Sequence, residues 1–282
     1  TSAPVSSGRP TTPTAPSPSP RPSPPLRSRA RPRGNPRRHP EVQLARTDRT
    51  KEGLRPLVFQ RAYTAQAAGS VLVTAGRTKI LCTVSIQESV PQWLAGSDKA
   101  WLSAEYSMLP GATRQRKLRD GRAGRVDARS LEIQRMIGRA LRSVVDLRLL
   151  PEVTLWIDCD VLDADGGTRT TAINGACLAL HDALKSLEAA GRLRCWPMLG
   201  LVSATSVGIV RGELLVDLEY QEDAAADVDL NVVRLADGRA TTIDYREKAP
   251  IASTSTLYLN RDGSINYAAT DSGWRGPGVP GT

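Results

Sequence analysis

The chain has 282 residues, a net charge of +9, 40% hydrophobic and 24% charged residues, which is a soluble globular composition with room for one large domain or two ordinary ones. No apolar run reaches the ~18 residues that a bilayer-spanning helix needs, so a membrane-spanning role is excluded. Two histidines (His39 and His181) and four dispersed cysteines without a C-x-x-C pair exclude multi-histidine metal centres and dithiol redox chemistry.

Residues 1–40 hold twelve prolines, eight arginines and no acid, and residues 1–45 read as a disordered Pro/Arg-rich arm. From Glu41 onward 30 basic residues face 29 acidic ones, so the folded part is nearly neutral and the charge belongs to the arm. Regular patterning begins near Leu54. Leu57-Val58-Phe59 starts a strand, and Ser70–Val73 with Lys79–Ser85 reads as a hairpin around Ala75-Gly76-Arg77. Trp101–Met108 is a further strand. Leu131, Ile133, Met136, Ile137, Ala140, Leu141, Val144 and Val145 repeat with a period near 3.6 and predict a helix. Thr154–Val161 predicts a strand, Thr170–Ala190 a second helix, and Val202–Val210 with Leu214–Leu218 a second hairpin. Residues 240–282 show no helical period, and the expectation there is coil with at most a short hairpin around Asp262-Gly263. Cys82, Cys159, Cys177 and Cys195 are expected to be buried free thiols of a reducing compartment, and His181 a structural residue in mid-helix.

Three segments carry chemistry. Arg114 to Arg148 holds eleven basic residues against four acids, a local +7 that suits a polyanion through bidentate phosphate contacts, although a solvated loop and charged helix face would read the same. Asp165-Gly166-Gly167-Thr168-Arg169-Thr170 joins a strand to a helix. Its glycines allow close backbone approach, the helix N-terminus presents amides, and Arg169 adds a charge, a combination able to hold one phosphate. A plain turn with Thr168 or Thr170 as N-cap is the simpler reading of the same residues. Third, Asp217-Leu218-Glu219-Tyr220-Gln221-Glu222-Asp223 with Asp227 and Asp229 gathers acids at a strand end, where they could bind Mg²⁺ or move a proton. Asp223 and Asp229 converge only if the chain turns through Ala224-Ala225-Ala226.

From Leu54 to Val233 these segments occur in the order found in one family. The stretches Ala104-Glu105-Tyr106, Arg129-Ser130-Leu131-Glu132-Ile133-Gln134-Arg135, Asp158-Cys159-Asp160-Val161-Leu162, Ala164–Thr170, Asp217-Leu218-Glu219-Tyr220 and Asp229-Leu230-Asn231-Val232-Val233 resemble the ribonuclease PH family of phosphorolytic 3′-exoribonucleases. The resemblance implies an α+β fold akin to the second domain of ribosomal protein S5, a mixed sheet with helices and a left-handed βαβ crossover. It implies a cytoplasmic enzyme, a homohexamer built as a trimer of dimers, acting on transfer-RNA precursors and by extension ribosomal RNA. On the family pattern Arg129, Gly167, Thr168 and Arg169 hold inorganic phosphate, the co-substrate. Asp223 and Asp229 stand at the paired catalytic aspartates and near Mg²⁺, and Arg116 and Arg119 match arginines that grip the transfer RNA. Gly111 stands where many members carry another such arginine, and Thr47-Asp48 replace the Asp-Gly that usually precedes the residue at Arg49.

The domain expectation is therefore the arm over 1–45, a ribonuclease PH domain over 46–239 and an atypical segment over 240–282. In that last segment the family's next strand and closing helix are missing. Thr242–Pro250, Leu257-Tyr258-Leu259 and Gly278–Thr282 are instead similar to a short internal piece of γ-glutamyltransferases. Two other functions compete with phosphorolysis: a catalytically silent RNA-binding subunit of an exosome-type ring, and a metal-dependent hydrolytic nuclease using the acid clusters.

Overall fold

A computed structural model describes residues 46, 48–119, 127–235, 239–247, 254–259, 265–270 and 273–275, with the backbone alone for 240 and from 242 onward. These lie within a unit spanning Leu44–Thr282; the predicted arm, in the unit Thr1–Gln43, falls outside the described residues.

Strands β1 (Leu57–Arg61), β2 (Gly69–Ala75) and β3 (Thr78–Gln87) form an antiparallel meander, extended by β5 (Thr154–Asp163) antiparallel to β3. Strand β4 (Trp101–Met108) lies parallel to β5, giving the order β1-β2-β3-β5-β4. Helix α1 (Ala128–Arg142) lies between β4 and β5 in the chain, and the three make the βαβ unit of the fold. Alternation decides which face is covered: Val71 and Val73 of β2, Ile80, Cys82 and Val84 of β3, and Leu155, Ile157, Cys159 and Val161 of β5 are all buried.

Helix α2 (Thr168–Ala189) packs against β2 and β3 on one side and β6 (Val202–Val210) of a second sheet on the other. That placement explains its wide apolar face, with Ile173, Leu180, Leu184, Ala172, Ala176 and Ala183 all buried, while Lys185 and Glu188 stay exposed on the remaining stripe. The second sheet has the order β12 (Gly273–Arg275), β11 (Ile265–Thr270), β10 (Thr254–Leu259), β9 (Ala240–Glu247), β8 (Val228–Leu235), β6 (Val202–Val210) and β7 (Glu213–Val216), of which the last two are the predicted hairpin. A short helix α3 (Tyr220–Ala225) joins β7 to β8 (Val228–Leu235).

The segment after residue 240 differs from the coil expected. β9 (Ala240–Glu247) pairs antiparallel with β8, and β10 (Thr254–Leu259), β11 (Ile265–Thr270) and β12 (Gly273–Arg275) continue the meander. Absence of a helical period rules out helix only. Thr242-Ile243-Asp244-Tyr245 is β-branched and aromatic, and β8 offers a sheet edge for it to join. The hairpin expected around Asp262-Gly263 is the β10–β11 pair; its turn lies outside the described residues.

Three cysteines are buried and free, whereas Cys195 is exposed, a correction to the expectation that all four are internal. Cys195 falls in the connection after α2, where no sheet covers it. His181 is structural, its ring 5.4 Å from that of Trp196. Among the described residues no helix is long and apolar enough to cross a membrane.

Candidate active site

The chain leaves β5 through Asp165-Gly166-Gly167, with both glycines at positive φ (81° and 63°). Neither position has room for a side chain. A Cβ on Gly166 would stand 2.5 Å from the Leu218 carbonyl oxygen, and one on Gly167 would stand 2.8 Å from the Arg55 guanidinium. The turn therefore packs directly on the backbone that leads into α3. Gly167 is the N-cap of α2, and no side chain caps the helix. The Thr170 hydroxyl donates to the Gly167 carbonyl at 3.0 Å, so the simpler reading with a threonine N-cap does not apply. The first residues of this 22-residue helix, Thr168 and Arg169, line a cavity at the positive end of the helix dipole.

That cavity has a volume of about 260 Å³. Six sequence-predicted residues line it together: Arg129, Gly167, Thr168, Arg169, Asp223 and Asp229. Arg129 comes from the first turn of α1. Arg169 is 5% exposed and anchored by Glu132, whose carboxylate accepts from Nε at 3.3 Å and Nη2 at 2.9 Å. Thr168 accepts from the Tyr106 hydroxyl at 2.9 Å; burial, in first place, pushes that phenol upward, and it stays a neutral donor. Asp223 sits on α3 and Asp229 on β8, so the chain does turn through Ala224–Ala226 and both residues line the same cavity. α3 is held by a capping box between Glu219 and Glu222.

Sequence reasoning missed what stands behind this cavity. Arg55, 5% exposed, meets Asp217 in a bidentate pair, Nε to Oδ2 at 3.0 Å and Nη2 to Oδ1 at 2.6 Å. The same guanidinium donates to the Asp165 carbonyl at 2.7 Å, tying the glycine turn to the end of β7. Arg46 pairs with Glu222 through Nε to Oε1 at 2.5 Å and Nη2 to Oε2 at 2.8 Å, and Arg49 reaches Oε2 at 3.2 Å. Burial alone would raise the Asp217 and Glu222 carboxyls, but the hydrogen bonds and charges of these arginines outweigh it and hold both below the ordinary range. Asp217 also adopts a left-handed backbone, φ 56°, uncommon for a residue with a side chain. The signal available in sequence was Arg49 and Leu54-Arg55-Pro56 ahead of the first strand, without any indication of their partners.

Arg116 and Arg119 do not line the cavity; both are exposed on the segment that leaves its rim at Thr113. Burial raises the Asp160 carboxyl on β5, an effect that the charge of Arg119 opposes. The described residues contain no cluster of three or more His, Cys, Asp or Glu able to hold a metal. Two carboxylates lining one cavity nevertheless fit Mg²⁺, which keeps several waters and takes one or two carboxylates together with substrate phosphates.

Two models of one family match in order, domain 1 of the 3′ exoribonuclease (RNase PH) family over residues 53–185 and domain 2 over 200–243. Together they span well over half of the chain. The chain belongs to the 3′ exoribonuclease family. This exoribonuclease-family fold is shared with subunits of exosomes. Rrp46 of rice (Oryza sativa) matches with a TM-score of 0.54 and 22% identity over 66% of this chain and 79% of that one. The exosome of Archaeoglobus fulgidus with RNA bound to its active site matches with a TM-score of 0.61 and 21% identity, covering 72% of this chain and 82% of that one. An archaeal exosome core gives a TM-score of 0.58 at 21% identity, covering 72% and 79% respectively. The family models end at residue 243 and lend no support to the γ-glutamyltransferase likeness of the last segment.

Proposed function

We propose that the protein is a cytoplasmic, phosphate-dependent 3′→5′ exoribonuclease that trims the 3′ ends of transfer-RNA precursors, working as a homohexamer. The observation that carries the reading is one cavity lined by both arginines and both aspartates. An uncapped helix N-terminus with Arg129 and Arg169 forms a site for an anion, and Asp223 and Asp229 line the same cavity. Inorganic phosphate bound by the arginines attacks the last phosphodiester of the RNA; the new P–O–P bond forms as the bond to the 3′ oxygen breaks. The products are a nucleoside diphosphate and an RNA one residue shorter, and exchange of one phosphoryl linkage for another of similar energy makes the reaction reversible. Arg129, Arg169 and the helix amides orient the nucleophile and stabilise charge in transition. Asp223 and Asp229 would hold Mg²⁺, which supplies charge neutralisation at the departing oxygen when bound. Arg116 and Arg119 grip the RNA body away from the reacting end.

Product analysis tests the proposal. A short RNA incubated with Mg²⁺, with and without phosphate, should yield nucleoside diphosphates only when phosphate is present. Monophosphates would mean hydrolysis, and RNA retention without any product would mean the silent ring-subunit reading instead.

A further inference from the structure

Asn231 has the position of a ligand-binding residue, although within Asp229-Leu230-Asn231-Val232-Val233 the family resemblance assigns a role to Asp229 alone. It is two residues beyond Asp229 on β8, so both side chains leave the same face of the strand, and both line the cavity. Asn231 is 3% exposed, and its Nδ2 is buried without a hydrogen-bond partner. Its cross-strand neighbour on β6, Ser206, is already engaged: the Ser206 hydroxyl accepts from the Leu218 amide at 3.0 Å. Buried amide donors are nearly always satisfied, and one that is not calls for a reason. At the wall of a cavity the reason is an acceptor brought by a ligand.

The neighbourhood selects the acceptor. The cavity lining carries Arg129, Arg169 and the first residues of α2 together with Asp223 and Asp229. A neutral donor beside Asp229 can serve an anionic oxygen without adding a second full charge next to the carboxylate. Resting on the function proposed above, we infer that Asn231 donates from Nδ2 to a phosphoryl oxygen of the reacting groups, either inorganic phosphate or the terminal phosphodiester of the RNA. Asn231 is thereby a substrate-contacting residue whose unmet hydrogen bond in the free protein is completed by substrate.

The test uses Asn231→Leu and Asn231→Asp in the full chain, with three readings: melting temperature without ligand, equilibrium binding of inorganic phosphate and of a short single-stranded RNA, and diphosphate release. Leucine removes an unsatisfied donor, so Asn231→Leu should melt no lower than the natural protein. Both variants should bind phosphate or RNA roughly tenfold or more weakly, the expected size for loss of a hydrogen bond to a charged group. The weakened ligand identifies the source of the oxygen. Undiminished affinity for both ligands in Asn231→Asp, which keeps the size of the side chain, overturns the inference. Failure of phosphorolysis itself is seen separately, as absence of diphosphates from the unsubstituted protein, and the binding measurements still read Asn231 in that event.

Discussion

Two sets of arginines divide the molecule. Arg55 and Arg169 are buried, the Arg46 side chain is nearly so, and they pair with Asp217, Glu132 and Glu222, the last shared with Arg49. Arg114, Arg116 and Arg119 are exposed, and among the described residues no carboxylate forms an ion pair with them. The first set fixes geometry, since removing a charge from a buried pair strands its partner in low dielectric. The second set keeps its charge available to a polyanion in solution. Net charge and arginine counts do not separate these roles; burial and partners do.

Four perturbations would test that contrast. The largest effect is expected at the rear of the cavity, where Asp217→Ala leaves the Arg55 guanidinium buried and uncompensated. A loss of about 3–5 kcal/mol in urea unfolding is the expected outcome, and a change below about 1 kcal/mol would show that the pair does not brace the site. The same carboxylates predict an acid limb. Asp217 and Glu222 have folded values below their unfolded ones, so their contribution is complete above the unfolded carboxylate range near pH 4 and is lost as pH falls through the folded values. The urea midpoint should be flat above about pH 5 and fall below about pH 4, with the fall reduced in Glu222→Gln.

Next is Asp229→Ala, for which diphosphate release should drop by roughly two to three orders of magnitude while RNA binding persists. Full activity in this variant would remove Asp229 from the catalytic residues. The smallest effect belongs to the exposed set. Arg116→Ala with Arg119→Ala should leave stability within about 0.5 kcal/mol of the natural protein. RNA affinity should fall, and the slope of log affinity against log salt should shrink by about 0.7 for each phosphate that is no longer neutralised. An unchanged salt slope would detach these arginines from RNA.

How much of this was legible before the fold was known depends on how local each feature is. The glycine turn, the helix after it and the two aspartates are contiguous or nearly so, and their residue types announce their geometry. Arg55 and Asp217 are separated by 162 positions, and nothing in either neighbourhood names the other. The same holds for Arg46 and Glu222, 176 positions apart. Asn231 was hidden for a different reason: an asparagine in a strand reads as ordinary until its amide is found buried and unmet. The β10–β11 hairpin was expected around Asp262-Gly263, whereas β9 and β12 were missed, and for β9 pairing with β8 supplied what local propensity left open.

Phosphate held by Arg129 and the α2 N-terminus is the proposed nucleophile, and a phosphate titration of diphosphate release in Arg129→Ala tests that role most directly. The predicted result is a saturation curve displaced to higher phosphate by roughly tenfold or more, with RNA affinity retained. A phosphate dependence identical to that of the natural protein would contradict the account.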